Sequence, residues 1–169
     1  MPACAECGYE HEGLSRAQVL AVTPELAAKH ARVLTSTGTA LLRGHPRAGS
    51  WSALEYGCHV RDVLRVQRGR ILLAQAEDVP DFAAMRRDER AVEERYNDQD
   101  PAEVAAELTG AAGALTEVLG GLDDAGWLRT GVYNWPVRAV RPVEWIARHT
   151  AHELAHHLFD ELRLLSAPP

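Results

Sequence analysis

Apolar residues recur along this chain at the three- and four-residue spacing of amphipathic helices in four long segments. The first segment is predicted to begin at Thr23, the N-cap, with Pro24 in the first turn, and to end at residues 44–46, Gly-His-Pro. The second runs from about Trp51 to Gln75. The pattern therefore predicts two helices in the first half of the chain.

Two further helices follow in the second half. The third begins after Asp100, which can cap it, and ends where two glycines occupy residues 120–121. The fourth opens at Pro142 and runs to about Leu165. Four long helices of this kind favour an all-α fold, a four-helix bundle.

The connections between these helices differ in character. Residues 82–96 are strongly charged, which predicts a short solvated helix or a long exposed connection. Residues 127–141 contain Trp127, Tyr133 and Trp135 without a helical period, which predicts a long structured loop before the last helix, in part extended. These aromatic residues either anchor that loop or roof a pocket. We assign residues 1–20 to a short head and residues 21–169 to the bundle.

Composition narrows the functional classes. The chain has 169 residues, enough for one domain with one core, and a net charge of −6. An acidic chain is a poor candidate for binding nucleic acid or an anionic membrane, because nothing offsets phosphate repulsion. The sequence shows no apolar run long enough to span a membrane and no signal-peptide pattern at its start. We therefore expect a cytoplasmic protein with a small-molecule substrate.

Histidines are concentrated in the last predicted helix, which carries His149, His152, Glu153, His156 and His157. Residues four apart share a helix face, so two registers can grip an ion: His152 with His156, and Glu153 with His157. At about 100° per residue, Glu153 and His157 border the apolar face, whereas His152 and His156 turn outward. The wheel favours Glu153 and His157 as ligands, with His149 and His156 at the rim.

His59 is the second element of this hypothesis. On the second helix it shares a side with Tyr56, Val63 and Val66, so it points toward the core. Bundles build metal sites from inward side chains on facing helices. We predict a divalent metal ion between His59 and the histidine-rich run; the alternative is that these are surface or satisfied core histidines.

These motifs resemble the DinB/YfiT-like superfamily. Its pattern is a tryptophan, seven residues and a ligand histidine, here Trp51 to His59. A late helix then has a ligand, three residues and a histidine, followed three residues later by a polar residue, here Glu153, His157 and Asp160. The resemblance implies a four-helix bundle and metal ligands at His59, Glu153 and His157.

The glutamate makes the chain similar to the mycothiol-dependent branch, which includes maleylpyruvate isomerase and thiol transferases. This resemblance implies a metal-dependent thiol S-transferase or thiol-assisted isomerase. It implies zinc or nickel as the metal and mycothiol as co-substrate, and it is compatible with a homodimer. The alternatives are a metal-dependent hydrolase of small amides or esters, and a non-enzymatic metal-binding stress protein. Acid–base candidates are His156, His149 and Asp160.

The head contributes a separate motif. Cys4 and Cys7 have the spacing of half a zinc knuckle. A closed structural zinc site needs four ligands, so His11, Cys58 or a second chain would have to complete it. Cys58 is expected rather as a small buried residue, and the plain alternative for Cys4 and Cys7 is a pair of exposed thiols.

Overall fold

Four long helices form the body of the protein, as expected of an all-α bundle. The computed structural model describes residues 3–10, 13–45 and 49–166. The elements are α1 Arg16–Ser36, α2 Thr39–Leu42, α3 Ala53–Ala76, α4 Arg87–Glu93, a 3₁₀ helix Tyr96–Asp98, α5 Pro101–Gly120, α6 Asp124–Leu128, β1 Thr130–Tyr133, β2 Ala139–Pro142 and α7 Val143–Ser166. Within these residues no helix is long and apolar enough to cross a bilayer.

The long helices form a closed ring in cross-section. Helix α1 packs against α5 and α7, and α3 likewise packs against α5 and α7. The order around the bundle is therefore α1, α5, α3, α7, which differs from the order along the chain. This arrangement makes α3, which carries His59, a direct neighbour of α7, which carries the histidine-rich run.

The first helix differs from its prediction at both ends. It begins after Ser15, whose side chain forms a capping box with Gln18, so the helix is already running at Thr23 and starts inside the segment assigned to the head. The hydroxyl of Thr23 donates to the carbonyl of Val19 at 2.8 Å instead of capping a helix. At the other end α1 stops at Ser36, and Gly38 caps the separate α2. The sequence predicted that this helix ends at residues 44–46; residue 46 lies outside the described part of the chain.

The other three long helices confirm their predictions. Ser52 caps α3 and forms a capping box with Glu55. Asp100 accepts hydrogen bonds from the backbone of the first turn of α5, and α7 begins directly after Pro142. In α3 and α5 the polar cap at the start of the apolar stripe satisfies N–H groups that the helix itself leaves free.

The predicted loop before the last helix is a short helix followed by a β-hairpin. Strands β1 and β2 pair antiparallel, with Thr130 opposite Pro142. Phe82 donates a backbone hydrogen bond to Val132 at 3.0 Å, which joins the connection after α3 to this hairpin. A Cβ on Gly131 would lie 2.2 Å from the Phe82 ring, so only glycine allows this close approach. The hairpin is thereby held against the end of the bundle beside α7.

Candidate metal centre

His59, Glu153 and His157 converge between α3 and α7. Each offers one potential ligand atom, and these atoms all lie within 4.8 Å of one another. The rings of His59 and His157 are 4.8 Å apart between centroids, nearly perpendicular. Both histidines are buried, and Glu153 is half-buried. The register that the helical wheel favoured on α7 is the one that faces His59.

His59 has the properties of a metal ligand. Its Nδ1 atom is buried and has no hydrogen-bond partner within the described residues. Burial, together with the neighbouring His157, lowers the pKa of His59 to about 3, so the ring is neutral at physiological pH. A buried neutral imidazole with an unpaired nitrogen fits a divalent cation, which would satisfy that atom.

A carboxylate orients the second histidine. Nε2 of His157 lies 3.5 Å from Oε2 of Glu153, and its Nδ1 lies 3.3 Å from Oδ2 of Asp160. Burial alone would lower the pKa of His157, but its hydrogen bonds to Asp160 and Glu153 outweigh burial and raise it. A ligand histidine commonly gives its second N–H to a carboxylate, which sets its tautomer and ring orientation. The geometry thus puts Asp160 behind His157.

His149 contacts Glu153. Its Nε2 lies 3.5 Å from Oε1 of Glu153. The sequence placed His149 at the rim, but it is buried, because the Trp145 and Trp135 rings stack on it at 4.8 and 5.6 Å. The hairpin supplies Trp135, so it covers this side of α7.

A cavity of about 640 Å³ opens beside these residues. Its walls include Tyr133 and Trp135, so these two aromatics line the pocket, whereas Trp127 is buried elsewhere against Arg16. The walls also include Arg70 and two residues from the charged connection, Arg86 and Arg87. All three were missed from sequence: Arg86 and Arg87 belong to a run that was interpreted only as solvated. Arg70 follows His59, Val63 and Val66 on one face of α3, a spacing that could have identified it.

The head brings its cysteines to the outward face of α7. Cys4, Cys7, His152 and His156 each place a potential ligand atom within 4.8 Å of the others. A hydrogen bond from the backbone of Cys7 lowers the pKa of the Cys4 thiol to about 6, against the effect of burial. Two further sets come from α7 alone: His149, His152 and Glu153, and His156, His157 and Asp160.

The partners expected for Cys4 and Cys7 were different ones. His11 lies outside the described residues. Cys58 belongs to no such group among the residues described; it is fully buried, and its thiol points to the carbonyl of Tyr96 at 3.6 Å. Burial raises the pKa of Cys58 to about 12, so it stays a neutral core thiol. Cys58 as a zinc ligand was therefore wrong, and its interpretation as a small buried residue agrees with the structure.

Comparison with known proteins identifies the family to which this fold belongs. Residues 19–159 match the DinB superfamily along most of the chain. The chain belongs to the DinB superfamily. No curated protein matches the sequence significantly.

Solved structures share the DinB fold at low identity. YfiT from Bacillus subtilis, a probable metal-dependent hydrolase with a four-helix bundle of unusual topology, is 20% identical, with a TM-score of 0.80 over 92% of this chain and 90% of YfiT. The mycothiol-dependent maleylpyruvate isomerase is 14% identical, with a TM-score of 0.72 over 90% of this chain and 62% of that enzyme. A point mutant of that isomerase gives a TM-score of 0.69 at 13% identity, over 95% of this chain and 64% of the mutant. These likenesses confirm the four-helix bundle of DinB/YfiT type.

Proposed function

We propose that this chain is a divalent-metal-dependent enzyme that activates a small thiol of the mycothiol type, for S-transfer to an electrophile or for thiol-assisted isomerisation. The observation that carries the proposal is the convergence of His59, Glu153 and His157 on one point beside a cavity. Two histidines and a carboxylate leave coordination positions open, as catalytic sites require and closed structural sites do not.

The proposed reaction gives the residues of the site different roles. His59, Glu153 and His157 would hold zinc or nickel, and Asp160 would keep the His157 ring oriented through its Nδ1 contact of 3.3 Å. Such an ion would stabilise a thiolate, so that a small thiol bound there would lose its proton near neutral pH. The Trp135 and Tyr133 rings would limit the access of water from the hairpin side.

The cavity also indicates the charge of the second substrate. Arg70, Arg86 and Arg87 line it. Arg70 donates to the Gln67 side chain at 3.2 Å and to the Ala83 carbonyl at 2.7 Å and lies 4.8 Å from the Tyr133 ring, so the contacts described for it are with neutral groups. Guanidinium groups bind carboxylates with two parallel hydrogen bonds. We propose an electrophile that carries a carboxylate, and the cavity volume of about 640 Å³ suits a small thiol together with it.

Thiol consumption tests this function. The chain is loaded with zinc or with nickel and incubated with mycothiol and a bimane electrophile, and the rate of thiol loss is measured. His59→Ala should reduce the rate to that of the metal-free protein, whereas His45→Ala, a histidine from a different part of the chain, should leave it unchanged. A loaded wild-type protein that consumes no thiol above background contradicts the proposal.

A hydrolase is the second candidate. It is favoured by the likeness to YfiT and by His149, which lies 3.5 Å from Glu153 in the same cavity and can move a proton there. Hydrolysis of amide and ester substrates by the loaded protein, without any thiol, would support it. If His149→Gln abolishes that hydrolysis while metal content is unchanged, the hydrolase replaces the thiol reaction.

A further inference from the structure

Helix α7 has two metal-binding registers, and the tertiary structure gives each of them a partner. Glu153 and His157 face His59 inside the bundle. One position earlier on the helix, about 100° around its axis, His152 and His156 meet the CxxC segment of the head. Outward histidines on a helix are ordinarily solvated, but here both are half-buried beneath Cys4 and Cys7.

The distances between the side chains of this cluster suit the tetrahedral coordination of a zinc ion. The Sγ atom of Cys4 lies 3.7 Å from Nδ1 of His156. Two ligands of one tetrahedral zinc ion, a sulfur at about 2.3 Å and a nitrogen at about 2.0 Å, are separated by about 3.5 Å. The remaining potential ligand atoms of Cys7 and His152 lie within 4.8 Å of this pair. Only small adjustments of the side chains are needed to enclose an ion.

The backbone of the head brings its two cysteines close together. Between the two cysteines the chain turns tightly, and the backbone N–H of Gly8 donates to the carbonyl of Cys4 at 2.8 Å. Gly8 has a φ of +71°, a conformation that other residues adopt at a cost. The Cys4 N–H donates to the carbonyl of Tyr9 at 3.2 Å and closes the turn. Two cysteines on such a turn point to one side, as a chelating pair must.

The second nitrogen of His156 also has its partner. Because Nδ1 faces Cys4, Nε2 is free to donate outward, and it lies 3.3 Å from Oε2 of Glu6 and 3.5 Å from Oδ2 of Asp160. A carboxylate on the far nitrogen of a histidine is the arrangement that orients ligands of zinc sites. Glu6 comes from the head itself, between the two cysteines.

We propose that Cys4, Cys7, His152 and His156 form a second, closed zinc site that joins the head to α7 beside the substrate cavity. Four ligands leave no open position, so this zinc is structural. Its role is to hold the head as a wall of the cavity, which Cys4 and Glu6 line together with His59. His156 is then a zinc ligand and not a catalytic acid or base.

The metal content of the purified protein tests this site. Protein purified under reducing conditions with zinc should contain about two zinc ions per chain, and the double variant Cys4→Ser, Cys7→Ser about one. His59→Ala should also contain one, and Cys58→Ala, the matched cysteine control, should keep two. The second site is overturned if the cysteine double variant retains two zinc ions. It is also overturned if His59→Ala contains no zinc at all.

Cobalt substitution keeps the test independent of whether the cysteine variant folds. Only thiolate ligands give a sulfur-to-cobalt charge-transfer band, and the inner site has none. The band should therefore be present in wild type and fully retained in His59→Ala. Its absence from cobalt-loaded wild-type protein contradicts the proposal, as does rapid alkylation of Cys4 and Cys7 in the zinc-loaded protein, which would identify them as exposed thiols. The cobalt band and the alkylation rate do not depend on whether His59, Glu153 and His157 bind a metal, so they test the second site separately from the proposed function.

Discussion

Asp160 lies one helical turn beyond His157, and its Oδ2 is 3.3 Å from Nδ1 of that histidine. Residues three apart on a helix are neighbours, so this contact needs no other element. It directs the opposite nitrogen, Nε2, toward Glu153. Asp160 was an acid–base candidate from sequence; the geometry indicates that it positions His157, which we propose as a metal ligand.

Asp160→Asn should therefore weaken metal binding at the inner site by about 10- to 100-fold, because the amide no longer fixes the charge and tautomer of His157. The measurement is competition with a chelator, in the Cys4→Ser, Cys7→Ser background so that one site reports. Asp124→Asn, an exposed carboxylate on α6, is the control and should leave affinity unchanged. Equal affinities in Asp160→Asn and wild type would remove the positioning role.

Arg87→Gln tests the charge of the substrate. We expect the KM for an electrophile that carries a carboxylate to rise by about fivefold with kcat unchanged, because an exposed ion pair is worth up to about 1 kcal/mol. The KM for a neutral bimane should not change. Arg95→Gln, an exposed arginine outside the cavity, is the control. A KM increase for both kinds of electrophile would exclude charge recognition.

The buried carboxylate of Asp62 gives the fold a pH dependence. Burial raises its pKa, but hydrogen bonds from Arg61 at 2.9 Å and from the Tyr96 hydroxyl at 2.6 Å outweigh burial, so the pKa is lowered. A depressed pKa stabilises the folded state above the unfolded value of about 3.9, and that contribution is lost as the pH falls through the folded value.

Asp62→Asn should thus cost about 3 kcal/mol of unfolding free energy at pH 7, because buried Arg61 loses its buried carboxylate partner and keeps, as carboxylate partners, only the exposed Glu107 at 2.9 Å and Glu94 at 3.8 Å. Below about pH 4 the difference between variant and wild type should shrink, because Asp62 of the unfolded chain takes up a proton there while the folded chain binds it only at lower pH. Urea unfolding of both proteins between pH 7 and pH 3 measures this. A difference that is constant over that range would show that Asp62 contributes by shape and not by charge.

His30 and Glu161 join α1 to α7 in the core. Nδ1 of His30 lies 2.9 Å from Oε1 of Glu161, and Nε2 donates to the carbonyl of Leu154 at 2.8 Å; both side chains are fully buried. His30→Leu should cost about 3 kcal/mol in urea unfolding, since the carboxyl of Glu161 loses its partner. The exposed neighbouring pair Lys29–Glu25 provides the control: Lys29→Ala should cost less than about 1 kcal/mol.

A double variant separates the two causes of that loss. If the cost of His30→Leu arises from the unpaired carboxyl, adding Glu161→Leu should restore part of the stability, because two apolar side chains need no partners. If the double variant is instead less stable than His30→Leu, the loss does not arise from an unpaired carboxyl, and the polar pair itself stabilises the fold.

The first helix shows where sequence patterns misled. Pro24 after Thr23 is a common helix start, but Ser15 with Gln18 is an equally good one eight residues earlier, and the structure uses it. The long helix interior tolerates Pro24 because packing against α5 and α7 stabilises α1 as a whole. A local signal does not reveal which of two valid caps the packed chain selects.

The charged connection shows a different limit. Its solvated character was predictable from composition, and α4 is indeed largely exposed. That Arg86 and Arg87 turn toward the cavity depends on how this segment lies across the bundle. Both residues remain exposed and take part in ion pairs, so no property of the sequence distinguishes them from the neighbouring arginines.

The sequence by itself determined helices α3, α5 and α7, the inward direction of His59, and the separation of the α7 histidines into an inner and an outer register. These are local properties, because a helix repeats every 3.6 residues and fixes the angles between its own side chains. The tertiary structure alone decided that α3 lies beside α7 and that the head reaches His152 and His156. Such contacts join residues more than ninety positions apart, and helix packing and chain path set them, not periodicity.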